Sequence, residues 1–274
     1  MQLQKNIGVL KESTILFSEP LDREVKVDFY LPTNIHAPES LSLLLINDGQ
    51  DLVTMGFEHI LSSLYENQHL RPLLCVGIHC GNDRINEYGM IIGPDFKGRG
   101  AKAPDHLRFI LEELLPFIST TYKVAAFKEM SYAGFSLGGL SALDVVWNCP
   151  SLFTKAGVFS GSLWWRSKDI LEKSHNENTA RMMHRQLRLG SKKDGMKFYL
   201  QCGELDETAD RNHNGVIDSI DDTIDLMREL LAKGYKEGKD FKYVQLPDGK
   251  HDVPTWARAL PGFLKWGWGS NLKI

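Results

Sequence analysis

Gly134-Phe135-Ser136-Leu137-Gly138 sets a serine in a G-x-S-x-G pattern. A serine hydroxyl is a weak nucleophile at neutral pH. It needs a base to remove its proton, a group to orient that base, and donors for the oxyanion. The pattern alone does not distinguish a nucleophile from a serine in a glycine-rich turn, so the partners decide. The chain has nine histidines. His59 and His106 fall in helical patterns, and His175 and His184 in a polar stretch. His251 instead follows the apolar run FKYVQL and the turn Pro247-Asp248-Gly249-Lys250, just before a final helical pattern. That places it on a loop, as a candidate base. The acid is sought between Ser136 and His251. "FYLQCGELDETAD" offers Glu204, Asp206 and Asp210. Asp206, just past Gly203, would accept from the His251 Nδ1–H, fix its tautomer and stabilise the imidazolium. Glu204 is the alternative acid.

Two backbone donors are expected for the oxyanion. The Leu137 N–H directly follows the nucleophile. The second is expected in "LLLINDGQDL", where Gln50 follows an Asp48-Gly49 turn at the end of an apolar run. Trp164 and Trp165 follow Ser160-Gly161-Ser162. They either pack in the core or wall a site for an acyl or aryl group.

A second constellation spans Asp210–Asp221, DRNHNGVIDSID. Read as a twelve-residue calcium loop, it has Asp210, Asn212, Asn214, Asp218 and Asp221 at positions 1, 3, 5, 9 and 12. Gly215 takes position 6, and Val216 offers the carbonyl of position 7. The loop resembles EF-hand and dockerin loops, with Asp221 where an EF-hand carries Glu. A calcium ion here would be structural. The competing reading is an Asx-rich turn capping a helix that begins near Thr223. No H-E-x-x-H is present, and "GPDFKGRGAK" lacks the ending of a phosphate loop.

The elements that must position these residues follow from periodicity. Glu24–Leu31 alternates like a strand. Leu41–Asn47 and Pro72–Ile78 are continuous apolar runs of buried-strand length. Asp105–Thr121 has helical spacing, with Asp105 as candidate N-cap. Ser131–Phe135 reads as a strand and Leu137–Trp147 as a helix, so Ser136 falls between them. Ala156–Phe159, Lys197–Gln201 and Phe241–Leu246 are further strands; Thr223–Leu231 and Thr255–Trp266 are helices. Alternating strands and helices imply a mostly parallel sheet covered on both faces. One domain over 1–274 is expected, with the polar stretch 166–195 as a small cap or lid.

The 274 residues carry a net charge of -3 and no strongly basic run, which argues against nucleic acid or an acidic membrane as partner. The first fourteen residues lack a secretory apolar stretch and no eighteen-residue apolar run occurs, so a cytoplasmic protein is expected. Cys75, Cys80, Cys149 and Cys202 have no C-x-x-C spacing and read as free, buried thiols.

Taken together the chain resembles the esterase branch of the α/β-hydrolases, which includes esterase D, feruloyl esterases, enterochelin esterases and the mycolyltransferases. The resemblance is carried by "NDGQDL", by "VGIHCGNDRINEYG" with Arg84, Glu87 and Tyr88, and by "ELLPFISTTYKV". "AGFSLGGLSAL", "FSGSLWW" and "GKHDVPTWARALPGFLKW" complete it. It implies an α/β-hydrolase fold. It also implies a triad of Ser136, Asp206 and His251, in the chain order of that fold, and an oxyanion hole of the Gln50 and Leu137 amides. The expected activity is hydrolysis of a small-molecule acyl ester through an acyl-enzyme, with no cofactor in the chemistry. Acyl transfer on the same triad and non-catalytic binding are the alternatives.

Overall fold

The computed structural model describes residues 8–33 and 41–270. Met1–Ile7, which entered the reading of the N-terminus, lie outside the described residues. Eight strands form one sheet: β1 (Val9–Ser18), β2 (Arg23–Pro32), β3 (Ser42–Asn47), β4 (Leu73–Ile78), β5 (Met130–Phe135), β6 (Phe153–Phe159), β7 (Lys197–Leu205) and β8 (Phe241–Lys250). Their spatial order is β1-β2-β4-β3-β5-β6-β7-β8. β1 and β2 pair antiparallel, as do β2 and β4; the pairs from β4 to β8 are parallel. The fold is that of an α/β-hydrolase.

The helices are α1 (Gly49–Thr54), α2 (Phe57–Glu66), α3 (Arg84–Glu87), α4 (Ala103–Arg108), α5 (Leu115–Tyr122), α6 (Leu137–Asn148), α7 (Glu177–Ala180), α8 (Met182–Leu189), α9 (Asp218–Ala232) and α10 (Val253–Trp268). Period-two geometry explains the two cores. On β3, Leu43 and Leu45 face one side and Leu44 and Ile46 the other, all fully buried. The first side packs against α5, α6, α8 and α9, the second against α1, α2 and α10. A strand buried on both faces reads as a continuous apolar run.

Several boundaries differ from the sequence reading. β1 was not anticipated: its residues are partly exposed along most of their length, so its alternation is weak. Asp105 does not cap a helix. Pro104 takes an early helical position, so α4 begins at Ala103 and Asp105 lies in its first turn. From α4 the chain passes through a turn of π-helix, Phe109–Leu114, into α5. α9 begins at Asp218, five residues before Thr223, and so absorbs the end of the acidic loop. The segment 166–195 is pinned to its neighbours. Arg181 pairs with Asp222 and Asp225 on α9, both at 2.7 Å, and Gln186 donates to Asp144 on α6 at 2.9 Å. The four cysteines are free; Cys75 and Cys202 are buried, Cys80 and Cys149 half-buried. Among the described residues, no helix is long and apolar enough to cross a membrane.

The turn from β5 into α6 is the tightest backbone approach near the sheet edge. A Cβ on Gly134 would meet the Gly138 carbonyl and lie 2.9 Å from the Gly139 nitrogen. Gly134→Ala must therefore push strand and helix apart. It is expected to cost about 1–3 kcal/mol in urea unfolding and to reduce any activity dependent on Ser136. Wild-type stability in this variant would contradict the packing described.

Candidate active site

Parallel strands deliver their following loops to one edge of the sheet, where ligands of open α/β sheets bind. Asp48 follows β3, Ser136 follows β5, Ser160 follows β6, Asp206 follows β7 and His251 follows β8. Sequence-distant groups thus meet at one edge.

Ser136 has φ 54° and ψ −122°, a conformation L-residues avoid. Its N–H donates to the Phe159 carbonyl at 2.8 Å, and its own carbonyl accepts from Gly139 and Ser162 at 3.0 and 3.1 Å. These bonds hold the strain. The Ser136 hydroxyl lies 3.4 Å from that of Ser162. Among the described residues no hydrogen bond joins it to His251.

Leu137 and Gln50 each begin or nearly begin a helix, so their N–H groups have no intrahelical acceptor. Neither donates to another protein group among the described residues. A buried polar network fixes the loops that carry them. The Asn47 amide donates to the Gly138 carbonyl at 2.9 Å, joining the end of β3 to α6. Tyr132 donates to Asn47 Oδ1 at 2.5 Å, and His106 Nε2 contacts the Tyr132 hydroxyl at 3.0 Å. Because the Tyr132 proton goes to Asn47, His106 must donate from Nε2. Asp48 has φ 60°. Arg84 grips both of its carboxylate oxygens, each at 2.7 Å, and its N–H donates to the Tyr88 hydroxyl at 3.1 Å. Glu87 of the same segment accepts a bidentate pair from Arg23, at 2.7 and 2.6 Å, on β2. The Arg84-Ile85-Asn86-Glu87-Tyr88 stretch is therefore a clamp on the Gln50 loop. Sequence pattern marked it without revealing that role.

The strand ends that lead to Asp206 and His251 meet by backbone contact, and among the described residues no hydrogen bond joins the two side chains. β7 and β8 approach so closely that a Cβ on Gly203 would strike the Gly249 carbonyl and sit 2.7 Å from Asp206 Oδ1. Both Asp206 oxygens are buried and lack a partner of normal geometry. Burial raises the Asp206 pKa, while the Gly203 N–H, the Ser160 hydroxyl and His251 draw it back. The His251 pKa is lowered: burial of part of its ring comes first, opposed by Asp206, with Arg84 pushing in the same direction as burial. The residue as a whole is exposed, and the Trp256 ring meets its imidazole edge-on with centroids 5.3 Å apart. The His251 loop is held by reciprocal caps. Asp252 accepts from the Thr255 N–H and Thr255 Oγ1 from the Lys250 N–H, both at 2.9 Å. Glu204 is exposed and accepts from Gln245 at 2.9 Å.

Of the tryptophan pair, only Trp164 offers surface. Trp165 is fully buried beneath Gly89 and Gly100, so it is a core residue and not a substrate wall. Arg99 lies 5.1 Å from each ring.

In the Asp210–Asp221 loop, Asp210 accepts from the Asn214 and Gly215 N–H groups at 3.1 and 2.9 Å. The Asn212 and Asn214 amides converge on Asp221 Oδ2 at 2.7 and 2.8 Å. The Val216 N–H donates to Asn214 Oδ1 at 2.7 Å. Asp218 does not join them. Its carboxylate accepts from the Arg211 N–H at 2.9 Å and pairs with the guanidinium. Among the described residues no three His, Cys, Asp or Glu side chains gather as a metal group.

With the site described, comparison with known proteins is decisive for the family. The family model described as "Putative esterase" matches residues 18–266. The chain belongs to that esterase family. YbbA of Bacillus subtilis (strain 168), described as uncharacterized, is 24% identical over 250 residues, covering 88% of this chain and 92% of that protein. The fold is shared with the enterobactin esterase FES of Shigella flexneri solved with enterobactin. That pair has a TM-score of 0.70 and 22% identity, over 93% of this chain. This esterase chain spans only 58% of the Shigella protein's length. A ferulic acid esterase matches with a TM-score of 0.68 and 16% identity, over 95% of this chain and 98% of its own.

The buried network makes a pH prediction. Burial comes first in lowering the His106 and His184 pKa values to about 3, with Arg23 and Arg181 respectively adding to it. Each Nδ1 is buried without an acceptor. The unfolded chain takes up these protons near the ordinary pH of about 6.5, and the native chain does not until about 3. Stability from these groups is present above the unfolded value and declines as pH falls from there. Asp144 opposes this: burial raises its pKa to about 6, against three hydrogen bonds that lower it, so the native state holds that proton longer. Urea unfolding between pH 7 and 4 should show the decline, and His106→Gln should flatten it by about one proton. An unchanged slope would contradict the assignment.

Proposed function

We propose that this esterase uses Ser136 as nucleophile, His251 as general base and Asp206 as the group that orients the imidazole, through an acyl-enzyme. The observation that carries the reading is the strained Ser136 backbone at the end of β5, flanked by two unclaimed N–H groups at Leu137 and Gln50. Small strained turns persist only where the surroundings over-determine them, and here they expose a hydroxyl. The exposed Glu204, engaged by Gln245, favours Asp206 as the acid.

In this mechanism His251 accepts the Ser136 proton as Oγ attacks the ester carbonyl. The oxyanion accepts from the Leu137 and Gln50 amides. Collapse breaks the bond to the leaving oxygen, which His251 protonates. Water, deprotonated by His251, then attacks the acyl-enzyme and releases the carboxylic acid. Asp206 stays ionised throughout and stabilises the imidazolium. Hydrogen bonds within such triads are commonly long in the free enzyme and tighten when substrate binds. Trp164, half-buried beside Ser162, supplies an aromatic surface for the acyl group. The ion pairs of Arg181, between α7 and α8, to Asp222 and Asp225 on α9 support segment 166–195 as a fixed wall rather than a moving lid.

Ser136→Ala is expected to lower kcat on p-nitrophenyl acetate by about 10⁴-fold or more, since triad members act as a unit. A folded variant retaining a tenth of the wild-type rate would overturn the assignment.

The Asp210–Asp221 loop fits a structural calcium ion at Asp210, Asn212, Asn214 and Asp221, with the Val216 carbonyl completing the pattern. Each amide oxygen keeps a second lone pair for a cation. Asp218, held by Arg211, would reach the ion through water, as the ninth position often does. Bound calcium would stiffen the loop that begins a few residues past Asp206. By mass action, excess calcium should raise Tm by several degrees over chelator, about 4 kcal/mol at a thousandfold excess over Kd. Asp221→Ala should abolish the shift. Equal melting in calcium and chelator, with no metal found by elemental analysis, would contradict it.

A further inference from the structure

Trp256, in the first turn of α10, touches the segments that carry Ser136 and His251 and the Ser160 loop after β6, and the reading below rests on the proposed triad. Its ring stacks on Phe135, the residue before Ser136, at 5.2 Å and 23°. It meets the His251 ring edge-on at 5.3 Å and 80°. Its Nε1–H donates to Ser160 Oγ at 3.0 Å. Both residues are buried, Trp256 at 7% exposure and Ser160 at 1%.

Ser160 is held in an unusual conformation. Its φ is 46°, and its N–H donates to the Gln201 carbonyl at 2.7 Å. An indole N–H is a donor only. The Ser160 oxygen is therefore committed as acceptor to Trp256, and its own proton must find another partner. Among the described residues, the buried acceptors without a hydrogen-bond partner near this edge are Gln201 Oε1 on β7 and the two Asp206 oxygens just beyond it; of these only the Asp206 carboxylate is charged. No hydrogen bond joins Ser160 to Asp206 among the described residues, but the Ser160 hydroxyl is one of the groups that hold the Asp206 pKa down against burial, after the Gly203 N–H.

We infer that Trp256 and Ser160 form a relay, Nε1–H to Oγ–H to carboxylate, that fixes Asp206 so its free oxygen faces His251. Neither residue touches the ester, so both are positioning residues. The relay explains why a serine occupies a left-handed position where glycine would be relaxed: the hydroxyl is required. It also explains the tryptophan. Packing alone needs only an aromatic ring, whereas the relay needs the indole N–H. Three separate loops are thereby held by one side chain, so the acid, the base and the strand before the nucleophile are set relative to one another.

The test compares Trp256→Phe, Ser160→Ala, Ser160→Gly and the double variant Trp256→Phe/Ser160→Ala with wild type and Ser136→Ala. Phenylalanine keeps the ring contacts and removes the N–H. Glycine removes the hydroxyl without straining the backbone. Each single variant should lower kcat on p-nitrophenyl acetate about tenfold, the worth of one buried hydrogen bond, with KM within about twofold. The double variant should be no worse than the poorer single, because the residues act in series. The acid limb of kcat/KM should move to lower pH. A less fixed Asp206 supports the His251 imidazolium less, while Arg84 and Asp252, the other charges facing that ring, are unchanged. A wild-type kcat and acid limb in Trp256→Phe and Ser160→Gly, with Ser136→Ala inactive, would overturn the relay and leave the triad standing. Losses that multiply in the double variant would likewise overturn it. Activity surviving in Ser136→Ala would remove the triad and the relay together.

Discussion

The backbone of Ser136 stands at φ 54° and ψ −122°, and most of the surrounding structure can be understood as what keeps it there. Such a conformation costs about 1–3 kcal/mol, which no local interaction of a serine repays. The repayment is distributed. Phe159 on β6 accepts the Ser136 N–H, Ser162 and Gly139 donate to its carbonyl, and Gly134 and Gly138 let strand and helix touch. A glycine pattern at this turn is the mark of backbone packed against backbone, and the half-buried serine at the sheet edge is its by-product.

A second layer lies under the first. The chain from His106 through Tyr132 and Asn47 to the Gly138 carbonyl ties β3 to α6, while Arg84 fixes Asp48 one residue further on. These bonds set the distance between the Gln50 and Leu137 amides. Their burial makes them strong when complete and costly when one member is lost. The depressed His106 pKa follows from the same burial: a proton on Nδ1 would be a charge without an acceptor. On the far side of Ser136, β7 and β8 meet through Gly203 and Gly249, and this brings the Asp206 and His251 loops together. Rigidity therefore comes from sheet geometry and buried polar bonds, not from the loops themselves.

Much of this was legible in the sequence because it is periodic or local. Continuous apolar runs announced β3 and β4, which are buried on both faces. The strand-serine-helix order placed Ser136, and the FKYVQL run placed His251 at the end of β8, although Pro247–Lys250, read as a turn, continues that strand to Lys250. What escaped lacks a local signature. β1 is an edge strand with little burial to enforce alternation. The Arg84–Asp48 pair joins residues far apart in sequence. Trp165 and Trp164 are adjacent and alike in sequence, yet one is entirely core and the other half-exposed. The Arg211 contacts of Asp218, made inside the same loop, also had no sequence signature. Trp256 sits on the apolar face of a helix, where periodicity marks it only as core; its N–H to Ser160 is a tertiary fact.

The central claim is that the strained turn presents an activated nucleophile at Ser136. Reaction with a fluorophosphonate, followed by intact mass and peptide mapping, tests it most directly. One equivalent of adduct is expected, located on Ser136, forming at a rate that collapses in His251→Ala. An adduct on another residue, or unmodified Ser136 in folded protein after prolonged exposure, would contradict it.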